Sequence, residues 1–470
     1  MILKAPQHIH LIGIGGAGIS AIARVLLRRG FVVSGSDQNA NSLAAALQAD
    51  GATVFMGHAA EQIAGAEMVV RSSAVPDSNP EVAAALAQNV PVLKRHEFLG
   101  DLMRGQRGIA VAGTHGKTTT TGMIAHMLIE TDQDPSVIVG GTLPATGTNG
   151  LAGNGEHFVI EADEYDRMFL GLRPTVAVIT NMGHDHVDIY PTAAEYVAAF
   201  NSFVQLLNHV DAGHLVVCLD DDGVQTLLDG LEKSDSLKIS GYTLTGANHP
   251  KVDHLLSADD IQGNKLGGLS ADICFDEKVW GGFDLAVPGR HNLQNSLAAL
   301  AVGLAEGLSF GSIAEAFKTF TGMGRRFEIK GENNGVTIVD DYAHHPNEIA
   351  ATLAAGKQRF PQGKLWAVWQ PHTFSRLKNS YSGFKTCFGW ADEVIVLDIY
   401  RSRETDNLGL SSATFVQEIN HPSVRHIGQR EVATAFLKTQ TAPGDTVIIM
   451  NAGDATVMAD WLVSGQAAAV

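Results

Sequence analysis

Cysteine is scarce in this chain, with three residues among 470: Cys218, Cys274 and Cys387. They are scattered, odd in number and never in a CxxC spacing, so neither a disulfide framework nor a cysteine-based zinc site is indicated. No run of about 20 apolar residues is present, which leaves no candidate helix for crossing a bilayer. Basic residues are also few. Lys and Arg total 33 against 50 Asp and Glu, a formal charge of −17 that argues against nucleic acid or an anionic membrane as the main partner. That balance still permits an anionic small substrate, because local cations and helix N-termini bind phosphate on an acidic protein. Met1–Pro6 lacks a signal-peptide pattern, and a cytoplasmic location is expected.

What is abundant is glycine, 50 residues, alongside frequent alanine, a composition suited to many tight strand-to-helix turns. The length suggests several domains rather than one core. Short apolar runs alternate with helix-like stretches: 8–14, 31–37, 68–70 and 90–93, then 109–112, 158–160 and 175–180, then 336–341, 365–369, 393–397 and 446–450. That alternation predicts parallel sheets with crossover helices. Residues 101–108 read as a linker, 245–285 as turns and short strands, 293–305 as a helix, and 322–326 as a second boundary. The expected division is 1–105, 106–323 and 324–470.

Gly113-Thr114-His115-Gly116-Lys117-Thr118 follows a buried strand and precedes a helix beginning near Thr119. Glycines there let backbone amides close around phosphate oxygens. Lys117 neutralises β/γ charge, and the Thr118 hydroxyl is a ligand for Mg²⁺. The full phosphate-loop pattern places another glycine at position 111, where this chain has Val111, so the loop is a shortened form.

Gly13-Ile14-Gly15-Gly16-Ala17-Gly18 matches a dinucleotide-type glycine turn, with Asp37 ending the next strand about 20 residues on. The match fits a nucleoside-diphosphate sugar as well as a nicotinamide nucleotide. Ser72 and Ser73 end another strand of the same unit and read either as hydroxyl donors at that sheet edge or as plain turn residues.

Glu161-Ala162-Asp163-Glu164 and Asn181-Met182-Gly183-His184-Asp185-His186 end strands beside the phosphate loop. Carboxylates there suit a hard cation, with a solvated acidic loop as the alternative. His186 is a candidate for a metal or a phosphate. Asn292 and Asn295 lie one helical turn apart, suited to a nucleobase or phosphate, with helix capping the alternative for Asn292. Arg325-Arg326 sits at the second boundary, a natural place for a cation that reaches a phosphate when domains close, while Asp340-Asp341-Tyr342-Ala343-His344-His345-Pro346 and Gln370-Pro371-His372-Thr373-Phe374-Ser375-Arg376 complete the strand-end clusters.

Taken in order, GIGGAG, SSA, GTHGKTTTT, EADE, TN…DH, PGRHNLQN, RRFE, DDYAHHP and QPH resemble the Mur ligases over nearly the whole chain. The resemblance implies an α/β protein of three domains. These are a Rossmann-like N-terminal domain for a UDP-sugar, a central P-loop ATPase domain, and a Rossmann-like C-terminal domain for the incoming amino acid. It implies ATP-dependent ligation of L-alanine to the carboxylate of UDP-N-acetylmuramate through an acyl phosphate, with ATP and Mg²⁺ required. Carried over by motif, Gly15, Gly16, Ala17, Gly18, Asp37, Ser72 and Ser73 face the UDP-sugar. Gly113, Thr114, His115, Gly116, Lys117, Thr118 and Thr119 hold the ATP phosphates. Thr118, Glu161 and His186 look like metal ligands. Asn292 and Asn295 match adenine-proximal positions, and Arg326 and Asp341 match ATP-site positions of the third domain. His345, His372 and Arg376 match the region of the amino acid and the muramoyl carboxylate.

Departures cluster in the third domain. Thr373 stands where an Arg is usual, Arg401-Ser402-Arg403-Glu404 replaces Pro-Ala-Gly-Glu, and Asn451 replaces a Gly. No lysine lies between Lys117 and Lys233, so the carbamoylated lysine of some sister ligases has no candidate there. Tyr165 is shared with a recycling ligase that attaches a murein tripeptide, the second expectation. A nicotinamide-dependent dehydrogenase would account for Gly13–Gly18 and Asp37 but not for Lys117 or Glu161. A non-catalytic UDP-sugar sensor is a further alternative.

Overall fold

The computed structural model describes residues 3–39 and 41–465; Met1, Ile2, Ala40 and 466–470 lie outside the described residues. The chain divides into two compact units, Met1–Ile261 with Ala271–Asp284 and Gln294–Phe320, and Gln262–Ser270 with Leu285–Leu293 and Thr321–Val470.

The first unit opens with five strands, β1 (His8–Ile12), β2 (Val32–Asp37), β3 (Thr53–Met56), β4 (Met68–Arg71) and β5 (Val92–Lys94), ordered β3-β2-β1-β4-β5. All pairings in this sheet are parallel. Helices α1 (Ala17–Arg28), α2 (Ser42–Ala49), α3 (Pro80–Ala87) and α4 (Arg95–Leu102) alternate with the strands. The order reverses between β1 and β4, so the Gly13–Gly18 turn and Ser72 emerge side by side at a topological switch point, where doubly wound sheets bind ligands. Buried Ile9, Leu11 and Val70 fill the core. Each removes about 1.5–3 kcal/mol worth of apolar surface from water.

A second sheet follows in the order β15-β14-β13-β12-β11-β10-β6-β9-β7-β8. Its strands are β6 (Arg107–Ala112), β7 (Ser136–Leu143), β8 (Thr148–Leu151), β9 (His157–Glu161), β10 (Pro174–Ile179), β11 (His214–Cys218), β12 (Lys238–Thr243), β13 (His254–Gly263), β14 (Leu269–Phe275) and β15 (Lys278–Leu285). Helix α5 (Lys117–Glu130) leaves the carboxyl end of β6. Two expectations are corrected here. Residues 245–285 hold three regular strands of ten, seven and eight residues rather than turns and short strands. In β13 exposed Asp259, Asp260 and Gly263 are residues poor in strand propensity, and they obscure the pattern. The linker read at 101–108 narrows to 103–106. α4 runs to Leu102, Met103 is buried, and β6 already pairs with β9 at Arg107.

The second unit carries β16 (Glu328–Asn333), β17 (Val336–Asp341), β18 (Leu365–Gln370), β19 (Glu393–Val396), β20 (Val424–His426) and β21 (Thr446–Asn451), ordered β16-β17-β21-β18-β19-β20. Only the β16–β17 pairing is antiparallel. Consequently Asp341, Asn451 and Gln370 end three adjacent parallel strands. No helix among the described residues is long and apolar enough to cross a membrane.

Candidate active site

The phosphate loop depends on two glycines in the left-handed region, Gly113 at φ 132° and Gly116 at φ 83°. A Cβ on Gly113 would lie 2.1 Å from Thr180 Oγ1, and one on Gly116 would lie 2.7 Å from Asn295 Oδ1. Both positions therefore exclude side chains on conformational and steric grounds. Val111 sits inside β6, paired with Val178 and Glu161, so the strand extends through the position where the longer loop pattern has its first glycine. Strand β10 supplies the loop's other wall. Asn181 Oδ1 accepts the His115 N–H at 2.8 Å, while Asn181 Nδ2 and Thr180 Oγ1 donate to the His115 carbonyl at 2.9 and 2.6 Å. Thr114 Oγ1 lies 2.8 Å from the Tyr196 hydroxyl.

Lys117 opens α5. Its Nζ donates to the carbonyls of Gly113 and Thr114 and pairs with Glu164 Oε2 at 2.9 Å. Burial opposes charge on both partners, yet their mutual attraction wins. The Lys117 ammonium is shifted above, and the Glu164 carboxyl below, its ordinary range. His186 Nε2 lies 3.6 Å from Glu164 Oε1; burial opposes its charged form, but Glu164 and Asp185 together raise its pKa. Glu161 takes a different part. Its Oε1 accepts the Thr118 hydroxyl at 2.9 Å, and its Oε2 accepts the Gly140 N–H at 2.6 Å. Thr118 and Glu161 thus present hard oxygen donors next to the loop, whereas His186 is directed to Glu164. Glu164 is 1% exposed and is the functional candidate that sequence reasoning passed over. Its signal was present, the third acidic residue of the quoted EADE.

At the other switch point, Gly15 donates its N–H to Asp37 Oδ2 at 2.9 Å, and Asn41 Nδ2 donates back to the Gly15 carbonyl at 3.1 Å. Asp37 also accepts the Asn39 N–H, so its carboxylate organises the glycine turn itself. Ser72 lies against the turn, its Cβ 3.2 Å from where a Gly13 side chain would begin, while Ser73 is exposed. A cation unforeseen from the sequence stands at this site. A Cβ on Gly18 would fall 1.7 Å from Arg95 Nη1, and Arg95 Nη2 reaches Asp163 at 3.3 Å. Burial lowers the Arg95 pKa.

Helix α6 (Ala193–Gln205) and α7 (Asp222–Gly230) precede α8 (Arg290–Ala305), which carries both asparagines. Asn295 packs against Gly116, but Asn292 Nδ2 donates to the Pro288 carbonyl at 2.7 Å, holding the approach to its own helix.

In the second unit Asp341 accepts the Ala343 and Phe327 N–H groups at 2.6 and 2.7 Å; burial still pushes its pKa up to about 6, against the attraction of Arg326. Arg326 lies over the Tyr342 ring at 5.0 Å. His345 precedes the helix Pro346–Arg359, and His372 stacks on Tyr400 at 5.7 Å. Burial, reinforced by the Arg376 charge, lowers the His372 pKa to about 4, so its ring is neutral at pH 7. Its Nδ1 is buried without a hydrogen-bond partner. Two of the departures, Asn451 and Thr373, have local reasons. Asn451 Nδ2 donates to Asp340 and its Oδ1 accepts from Arg325 at 2.9 Å, contacts a glycine cannot make. Glu404 accepts the Phe374 N–H at 2.6 Å and the Ser375 hydroxyl, anchoring the segment after His372. Thr373, at φ 64°, accepts the Arg376 N–H with its hydroxyl.

Three successive family patterns match the chain: "Mur ligase family, catalytic domain" over residues 8–107, "Mur ligase middle domain" over 111–303, and "Mur ligase, glutamate ligase domain" over 325–453. A Salinibacter ruber protein named UDP-N-acetylmuramate–L-alanine ligase is 41% identical over 455 residues, covering 95% of this chain and 92% of its own. One of the same name from Desulfosudis oleivorans is 39% identical, covering 99% and 100%. The crystal structure of the UDP-N-acetylmuramate–alanine ligase of Thermotoga maritima superposes with a TM-score of 0.81 at 27% identity, covering 97% of this chain and 98% of that one. A murein peptide ligase from Psychrobacter arcticus shares the fold, with a TM-score of 0.69 at 23% identity over 99% and 100% of the two chains. With the three patterns in succession over residues 8–453 and relatives near 40% identical over nearly its full length, the chain belongs to the Mur ligase family.

Proposed function

We propose that this protein is the ligase that joins L-alanine to the lactyl carboxylate of UDP-N-acetylmuramate, driven by ATP, in peptidoglycan synthesis. The observation that carries the reading is identity near 40% over essentially the full chain to proteins bearing that name. Acting on soluble small molecules, the enzyme is placed in the cytoplasm. The division 1–105, 106–323 and 324–470 assigns the sugar nucleotide to the first sheet, ATP to the second and the amino acid to the third.

The geometry supports the following roles. The Gly15–Gly18 turn, with Arg95, receives the diphosphate. Gly113–Thr119 wraps the ATP phosphates, and Lys117 exchanges the Glu164 carboxylate for β/γ oxygens. The Thr118 hydroxyl and Glu161 carboxylate are hard oxygen donors that fit Mg²⁺ and would hold it beside the phosphate loop. Such an ion offsets charge between a carboxylate nucleophile and a triphosphate. As the muramoyl carboxylate attacks the γ-phosphorus, its oxygen–phosphorus bond forms, the bond to the β-bridging oxygen breaks, and ADP leaves. The alanine amine then adds to the acyl phosphate and expels inorganic phosphate. His372, neutral at pH 7, and Arg376 serve the amino-acid region with His345, while Arg326 and Asp341 serve ATP.

Phosphate release with UDP-N-acetylmuramate and ATP across an amino-acid panel tests the reading. L-Alanine is expected to give the highest kcat/KM, with glycine and serine roughly 10- to 200-fold poorer, since one small group discriminates weakly. Release only with a tripeptide would move the assignment to the recycling reaction, and hydride transfer without ATP turnover would overturn it.

A further inference from the structure

Helix α1, which begins at the glycine turn, is bound along its length to the β7–β8 hairpin of the second sheet. Asn149, on β8, is buried. Its Nδ2 donates to the Ala17 carbonyl at 2.8 Å and to Ser20 Oγ at 3.0 Å, and the Ser20 hydroxyl donates to the same Ala17 carbonyl. Next along β8, a Cβ on Gly150 would lie 2.6 Å from the Ala21 carbonyl oxygen and 2.9 Å from the Ala21 Cα, so backbone meets backbone there. At the far end of α1, Arg29 donates to the Leu102 carbonyl at 2.7 Å and to Ser136 Oγ, on the first residue of β7, at 3.2 Å. Strand β7 then delivers Gly140, whose N–H holds Glu161, which in turn accepts the Thr118 hydroxyl. A continuous chain of short polar contacts and two paired strands therefore runs from the first turn of α1 to the phosphate loop.

Asn149 is a costly way to make a structural contact. Its Oδ1 is buried with no hydrogen-bond partner, so it carries the desolvation penalty of an unsatisfied acceptor. An apolar residue facing α1 would avoid that cost but could not grip the carbonyl of Ala17, which lies within the glycine turn and opens α1.

We propose that the β7–β8 hairpin, acting through Asn149, couples the sugar-nucleotide turn to the phosphate loop, and that Asn149 is a positioning residue for the ligation. The inference rests on the ligase reading for the identity of the two ligands. Nucleotide binding orders Thr118 and Glu161, Gly140 passes that order to the hairpin, and Asn149 sets the first turn of α1 for the diphosphate. Sugar nucleotide binding to the prepared turn then loses less conformational freedom.

The test is calorimetric titration of the full chain with UDP-N-acetylmuramate, with and without a saturating non-hydrolysable ATP analogue. In the wild type the analogue is expected to tighten sugar-nucleotide binding by about tenfold, within the usual range of coupling between sites. In Asn149→Ala that factor falls below about twofold, while the Kd of the analogue alone changes by less than about twofold. Asn149→Asp, of the same shape without the N–H donors, gives the same loss and serves if the alanine variant does not fold. An undiminished factor in the variants, a wild-type factor near one, or parallel weakening of both ligands with the factor retained overturns the proposal. A wild type that binds neither ligand overturns the ligase reading itself.

Discussion

Replacing Glu164 by Gln tests the pair that holds Lys117 at the phosphate loop. Glu164 is 1% exposed and Lys117 14% exposed, at 2.9 Å, so the pair is buried on both sides. Breaking a buried pair by removing one partner costs about 3–5 kcal/mol. Lys117 retains the Gly113 and Thr114 carbonyls as acceptors, which places Glu164→Gln at the low end, about 3 kcal/mol. The triphosphate supplies Lys117 with a new counter-ion, so the nucleotide-bound form is penalised less. Linkage then requires nucleotide to bind the variant more tightly, by about tenfold for each 1.4 kcal/mol of difference. Lys117→Met leaves a buried carboxylate with only His186 opposite it and should cost a similar amount. In the wild type the depressed Glu164 pKa contributes stability that is present above the ordinary carboxylate range and lost as pH falls through the lowered value. In Lys117→Met the sign reverses. The carboxyl pKa rises on desolvation, and the penalty at pH 7 is relieved on acidification as the group protonates. Urea unfolding at pH 5, 6 and 7, with titration of a non-hydrolysable ATP analogue, reads both effects. An unchanged midpoint and Kd in Glu164→Gln, or a Lys117→Met deficit that grows on acidification, would refute the pairing as the organising interaction of the free site.

Gly116→Ala should abolish phosphate release, because a left-handed alanine costs about 1–2 kcal/mol and its Cβ would also strike Asn295; activity within tenfold of wild type would contradict this. Asp341, with its pKa pushed up to about 6, makes folding less favourable as pH rises from the ordinary carboxylate value through 6, after which the penalty is constant. A urea series comparing wild type with Asp341→Asn should show a pH-dependent difference confined to that window. His372→Ala should raise the KM for L-alanine by about tenfold or more while leaving the nucleotide Kd unchanged; parallel changes in both would remove His372 from the amino-acid region. Lys117→Ala should lose ligation yet keep sugar-nucleotide binding, measured by calorimetry, since its contacts all lie in the phosphate loop and its strand-end neighbours.

Several features were decided within short stretches of chain. Val111 and Ile109 before Gly113, and Lys117 after Gly116, specify strand, left-handed turn and helix start through local conformational preference. The three groups of strand runs specify parallel sheets through burial on both faces, and with them the sheet edges where Lys117, Glu161, Asp341 and His372 emerge. Local sequence did not reveal the strands of 245–285, where exposed Asp and Gly residues on β13 mask the alternation, or the order of ten strands that sets β9 and β10 on either side of the phosphate loop. Nor did it distinguish Glu161 from Glu164. Three residues apart in one acidic stretch, they diverge because one meets Thr118 and Gly140, and the other meets Lys117, 47 positions away. Arg95 over Gly18 and Asn149 against Ala17 arise the same way, from residues that approach only when helices pack on sheets. Composition and periodicity record the preferences of neighbours along the chain. Which carboxylate holds the lysine, and which amide holds the glycine-turn helix, depends on long-range packing that brings one side chain within 3 Å and leaves its near-identical neighbour elsewhere.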